Sequence, residues 1–155
     1  MNEKQLVRFF GLGKMGKALV CNLLSSHYRI QAFDKGNHKI EIQHDNLKIL
    51  EHVDDMFIAR EGRNIFMLCI PEGQDLDGLI NLLILKLDKG DIVIDLGNSN
   101  FLKTIRRSKR FAKQGIDLID FGVSGGPDGA LSDPSIMIGW SSEHSWSFVK
   151  KLALD

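Results

Sequence analysis

Leu6-Val7-Arg8-Phe9-Phe10-Gly11-Leu12-Gly13-Lys14-Met15-Gly16 is the stretch that decides the fold. An apolar run of strand length ends in a G-x-G-x-x-G loop. The chain then enters Met15–Ser25, where Leu19 and Leu23 fall one helical turn apart. Each glycine has a distinct job in such a loop: a tight turn, close backbone approach to a pyrophosphate, and close packing of helix on strand. The helix N-terminus adds unpaired N–H groups and the positive end of its dipole. Gly11, Leu12, Gly13, Lys14, Met15 and Gly16 are therefore candidate cofactor-binding residues. Arg8 is an unexpected residue in a buried strand.

A second nucleotide motif overlaps the first. Gly11 through Ala18 reads G-x-x-x-x-G-K-A, one residue short of a Walker A loop, and Ile92-Val93-Ile94-Asp95 resembles a Walker B strand. Ala18 lacks the hydroxyl that would hold Mg²⁺. Asp34 adds weight on the other side, because it ends the next apolar run 18 residues past Gly16. A carboxylate roughly 20 residues beyond the loop is where a dinucleotide fold meets the adenosine ribose. It accepts hydrogen bonds from the ribose diol and repels a 2′-phosphate, which favours NAD over NADP. Lys35, His38 and Lys39 stand close enough in sequence to soften that repulsion.

Outward from this stretch, short apolar runs alternate with helical segments. Strands are expected at Leu6–Phe10, Tyr28–Phe33, Asn64–Ile70, Ile92–Leu96, Ile116–Phe121 and Ile136–Ile138. Helices are expected at Met15–Ser25, Leu76–Leu87, Phe101–Gln114 and Ser145–Leu154, with weaker ones at Lys39–Asp45 and Asp54–Ala59. Pro71 stops one strand, and Gly90 and Gly115 close two helices. The pattern is α/β: a Rossmann-type, doubly wound, mostly parallel sheet in a single domain over residues 1–155.

Composition sets the outer bounds. The chain has 155 residues, and its 20 Lys+Arg balance its 20 Asp+Glu. That balance provides no global field for nucleic acid or an anionic membrane. No apolar segment reaches spanning length and the polar N-terminus is no signal peptide, so a cytoplasmic protein is expected. Cys21 and Cys69 lie in apolar stretches and read as reduced core thiols. The five histidines, His27, His38, His44, His52 and His144, lack ligand spacing, so no metal site is expected.

Several motifs together resemble 6-phosphogluconate dehydrogenase. They are Gly11–Gly16; Gly90–Asp95 followed by Gly97-Asn98-Ser99; and Gly122-Val123-Ser124-Gly125-Gly126 with Gly129-Ala130 and Pro134–Met137. Asp34 is similar to the NAD-preferring bacterial branch. The resemblance implies oxidation and decarboxylation of 6-phosphogluconate to ribulose 5-phosphate in the pentose phosphate pathway. It places Asn98 between nicotinamide and substrate, Met15 near the nicotinamide, and Ile70 and Pro71 along the cofactor groove. Ser124, Gly125 and Gly126 would hold the sugar acid phosphate. The family's catalytic lysine belongs to an all-helical C-terminal domain beyond Asp155, so no catalytic residue is assigned here and the chain is expected to be inactive alone. A 3-hydroxyisobutyrate-type β-hydroxyacid dehydrogenase and a non-catalytic dinucleotide-binding module are the alternatives.

Departures from the family pattern accompany the resemblance. Leu96 stands where a glycine is usual, and Leu131, Asp133, Ile138 and Trp140 replace arginine, glycine, proline and glycine. These changes put bulk and a negative charge around the substrate loop. Lys103, Arg106, Arg107, Lys109, Arg110 and Lys113 read as a solvated basic helix face, with Phe101, Leu102, Ile105 and Ala112 as its core stripe. Leu79–Leu87, apolar nearly all round, is a candidate homo-oligomer contact or a helix packed under its neighbour.

Overall fold

A computed structural model describes residues 5–36, 40–58, 62–139 and 143–154. In chain order the elements are β1 (Leu6–Phe10), α1 (Lys14–Ser25), β2 (Arg29–Phe33), β3 (Leu47–Ile49), a 3₁₀ turn (Val53–Phe57), β4 (Ile65–Leu68) and α2 (Gln74–Lys86). β5 (Ile92–Asp95), α3 (Phe101–Ala112), β6 (Asp117–Ser124), α4 (Gly126–Ser132), β7 (Ser135–Gly139) and α5 (Glu143–Leu154) follow. Among the described residues the strands form one seven-stranded sheet in the order β3-β2-β1-β4-β5-β6-β7. Every pairing is parallel except β6 with β7.

Burial explains the sequence pattern strand by strand. β4 and β5 are buried at every position, which is why they read as continuous apolar runs. At the edge, β7 alternates, with Ile136 and Ile138 half-buried and Met137 exposed. Two cores form on the two faces. One joins Val7, Phe9, Ile94 and Phe121 to α1 and to Val149 and Leu152 of α5. The other joins Phe10, Phe66 and Val93 to α2 and to Phe111 of α3.

Arg8 is buried, and its partners account for it. Its Nη1 donates to Asn64 Oδ1 at 2.8 Å, and its guanidinium lies 5.7 Å from the Phe66 ring centroid. Asn64 in turn donates from N and Nδ2 to Asp91 Oδ1 at 3.0 and 3.1 Å. This network occupies the amino edge of the sheet, away from the glycine loop.

The structure corrects some expectations and adds two elements, β3 and α4, that the sequence pattern does not show. Residues 40–44 carry no helix and lead through a turn at 45–46 to β3, while Lys39 lies outside the described residues. β3 is three residues long and mostly exposed, so it leaves almost no periodic signal. α4 is a helix that begins with Gly126, Pro127, Asp128 and Gly129, residue types that favour turns over helices. On α3 the buried side chains are Arg107 and Phe111, while the expected core residues Phe101, Leu102 and Ile105 stand exposed; Lys103, Arg106, Lys109, Arg110 and Lys113 are exposed as expected. Leu79, Ile80, Leu83 and Leu87 are absorbed by the second core, leaving Leu85 as the exposed large residue of that run.

Candidate dinucleotide site

The carboxyl edge of the sheet is built around three glycines pressed against main chain. A Cβ on Gly11 would lie 2.3 Å from the Cys69 carbonyl oxygen, and Gly11 also needs a φ of +96°. A Cβ on Gly16 would lie 1.9 Å from Gly11 O, so the first turn of α1 packs directly on the loop. A Cβ on Gly97 would lie 2.3 Å from Ile70 O. The loops after β1, β4 and β5 are thereby brought into mutual contact. Gly13 is different, because a Cβ there would meet nothing within 4 Å. Its absent side chain serves nothing inside the protein. It leaves room outside, over the start of α1.

That helix start is prepared for an anion. Gly13 caps α1 without any side-chain hydrogen bond, and the first turn holds no acidic residue. Free N–H groups and the positive dipole end therefore face the open space above Gly13. Met15 is half-buried against the first core, and Lys14 is exposed.

Asp34, at the end of β2, is locked to this loop. Its Oδ2 accepts from Leu12 N at 2.5 Å and its Oδ1 from Gly36 N at 2.8 Å. These two donors fix the carboxylate against the glycine loop, at the carboxyl edge of the sheet. Gly11 N donates to Phe33 O at 3.0 Å, which closes the junction of β1 and β2.

Beyond β5, the chain turns through Asn98 at φ +53°, a left-handed geometry that asparagine tolerates better than most residues. Asn98 is exposed and Ser99 is not free. Ser99 Oγ donates to buried Asp95 Oδ2 at 2.8 Å, and Arg107 Nη1 donates to Ser99 Oγ at 3.1 Å. Arg107 Nη2 reaches Asp77 Oδ1 at 2.7 Å. Glu72, after Pro71, accepts from Asn100 N at 2.7 Å and pairs with Lys103 Nζ at 2.6 Å. The Lys103 bond, reinforced by the Asn100 N–H, holds the Glu72 carboxyl below its usual range. Burial, with the negative charge of Asp95 behind it, pushes the Cys69 thiol up to about 11.

Asp95, Ser99, Arg107 and Glu72 thus fix the Asn98 loop, a role the sequence reading did not give them. The one available signal was a carboxylate closing an apolar strand, followed by a serine four residues on. Leu96 also behaves differently from expectation. Its side chain is buried and lines a small apolar cavity of about 30 Å³ with Phe9, Met67 and Phe121. Its bulk enters the core and leaves the loop clear.

Ser124 ends β6, one strand further along the same edge, Gly125 and Gly126 lead into α4, and all three are exposed. Gly125 and Gly126 take φ of +106° and +63°. α4 then turns back against α1. Gly11–Gly16, Asp34, Ile70, Pro71, Asn98 and Ser124–Gly126 therefore share one edge, contributed by five adjacent strands. Among the described residues no cluster of His, Cys, Asp or Glu could hold a metal ion.

A parallel sheet with a glycine loop, an open uncapped helix start and an acidic residue closing β2 defines a Rossmann dinucleotide-binding domain. Residues 6–153 match the family model described as the NAD binding domain of 6-phosphogluconate dehydrogenase, and the chain belongs to that family. The decarboxylating 6-phosphogluconate dehydrogenase of Haemophilus ducreyi is 34% identical over 98% of this chain and 32% of its own length. A decarboxylating 6-phosphogluconate dehydrogenase of Saccharomyces cerevisiae is 36% identical over 92% of this chain and 30% of its own. The chain thus spans about a third of these relatives. Among solved structures, Plasmodium falciparum 6-phosphogluconate dehydrogenase, described with NADP+ and with 6-phosphogluconate, superposes with a TM-score of 0.83. That match is 24% identical, covering 96% of this chain and 33% of that one. Among the described residues no helix is long and apolar enough to cross a membrane.

Proposed function

We propose that this chain is the cofactor-binding part of a cytoplasmic, NAD-preferring enzyme that oxidatively decarboxylates 6-phosphogluconate to ribulose 5-phosphate. The observation that carries this reading is the contrast in space around the glycines: Gly11 and Gly16 are filled by the protein itself, whereas Gly13 is open. An open glycine over an uncapped helix start fits a pyrophosphate. When bound, the nicotinamide supplies a hydride acceptor for a secondary alcohol.

The chain's own residues then bind and orient. The first N–H groups of α1 hold the pyrophosphate, and Asp34 accepts from the ribose hydroxyls. Met15, Ile70 and Pro71 line the groove. Asn98, held in its strained turn by the Asp95–Ser99–Arg107 network, offers its amide to nicotinamide and substrate. Ser124, Gly125 and Gly126 receive the sugar acid phosphate.

Oxidation of the alcohol needs a base for the hydroxyl proton. Glu72 is committed to Lys103 and Asn100, and the Cys69 thiol is pushed up to about 11. Neither suits that task near neutral pH. We infer that the chain alone binds dinucleotide without turning substrate over, and 6-phosphogluconate-dependent NADH formation by the purified chain would refute this.

Calorimetric titration with NAD+, NADP+ and ATP–Mg²⁺, each with and without 6-phosphogluconate, tests the binding reading. NAD+ is expected to bind most tightly, and preferential ATP–Mg²⁺ binding sinks the proposal. NAD+ binding with no sugar-acid binding favours a non-catalytic module. Gly13→Ala should leave the melting temperature nearly unchanged while weakening NAD+ by about tenfold, a loss of about 1.4 kcal/mol.

A further inference from the structure

One ion pair joins the loop after β2 to the start of α2. Lys35 Nζ lies 2.6 Å from Asp75 Oδ1. Lys35 follows Asp34 at the end of β2, and Asp75 sits in the first turn of α2, after β4. Because β1 lies between β2 and β4 in the sheet, the pair bridges the edge on which the glycine loop opens.

We propose that Asp75 is a specificity residue that favours NAD over NADP by withholding Lys35 from the adenosine 2′-phosphate. The inference rests on the dinucleotide reading above and adds to the role of Asp34 a second carboxylate remote in sequence. Leu12 N and Gly36 N hold both oxygens of Asp34, which favours its present position beside the glycine loop. A 2′-phosphate would therefore arrive beside a fixed negative charge and need a cation for compensation. Lys35 adjoins Asp34 in sequence, and its flexible four-carbon stem could bring an ammonium to that phosphate. With its ammonium paired to Asp75, it brings the region little net positive charge. The side chains are 80% and 66% exposed, so the pair adds little to stability. Its distinguishing feature is that it ties the residue next to Asp34 to the start of α2, across the end of β1.

The test is titration of NAD+ and NADP+ into wild type, Asp75→Asn, Lys35→Gln and the double variant, at low and high salt. Asp75→Asn should tighten NADP+ relative to NAD+ by about three- to fivefold, the scale of an exposed charge interaction. The gain should vanish when Lys35→Gln is added, and should shrink at high salt. An unchanged NADP+/NAD+ ratio in Asp75→Asn, or an equal change in both affinities, overturns the inference while leaving the dinucleotide reading intact. If wild type binds neither dinucleotide, the underlying reading falls first and this one with it.

Discussion

Asp120 and Asp95 occupy paired positions on β6 and β5, so their carboxylates lie side by side on one face of the sheet. Asp95 is compensated, accepting from Gly97 N at 2.9 Å and Ser99 Oγ at 2.8 Å. Burial, with the charge of Asp95 added, raises the Asp120 carboxyl above its ordinary value. The native state then holds this proton more tightly than the unfolded chain, so stability falls as pH rises from the unfolded value through the raised one. Asp120→Asn should accordingly melt higher than wild type at pH 7, with the difference narrowing toward about pH 4. A melting difference independent of pH would refute this. At this scale the sequence was legible where a motif has fixed spacing: the glycines of 11–16 and an acidic residue after the next strand do lie together, with Leu12 N donating to Asp34 Oδ2. Arg107 was not legible. Its burial depends on Asp77 and Asp95, 30 and 12 residues away, and hydrophobic periodicity does not register charge partners.

α3 shows how an element can be seated by polar groups. Asn100 Oδ1 accepts from Leu102 N at 3.0 Å as its cap, Lys103 binds Glu72, Arg107 binds Ser99 and Asp77, and Arg110 Nη2 donates to Asn81 at 2.8 Å. Phe111 alone anchors the far end in the second core. Arg107→Met should cost about 2–3 kcal/mol in chemical denaturation, because Asp95 remains buried without its cation. Asp77→Asn, at an exposed partner, should cost less than about 1 kcal/mol. Equal costs would show that the ion pair, and not the buried carboxylate, is what Arg107 serves. The positions of α1, β1, β4 and β5 were legible, where burial on one stripe or both faces writes a strong pattern, although β4 is shorter than the expected Asn64–Ile70. β3 and α4 escaped because one is a short exposed edge and the other is coded by turn residues.

The whole molecule has two cores that share one sheet. Phe111 belongs to the α2–α3 side, and Trp146 of α5 lies on the element whose Val149 and Leu152 belong to the other. Phe111→Ala should lower stability by about 3–5 kcal/mol. Tryptophan fluorescence and far-UV circular dichroism should report the same shifted midpoint, since every strand between the faces is common to both. Separate midpoints would mean that the two layers unfold independently. The doubly wound architecture was legible from the alternation of apolar runs and helical segments. The antiparallel turn of β7 was not, because a short alternating strand carries no direction.

The three crowded glycines set what this binding edge can tolerate. Where the loops after β1, β4 and β5 meet, the contacts at Gly11, Gly16 and Gly97 are with main-chain carbonyl groups, and these atoms are the same whatever side chains hang elsewhere. Lineages of this chain could drift through most of their surface and much of their core without altering the shape that a dinucleotide meets. Single methyl groups at positions 11, 16 and 97 would be enough to erase it. Robustness and fragility here have one origin: the packing of these loops is main chain on main chain, which mutation reaches most directly where a side chain is missing.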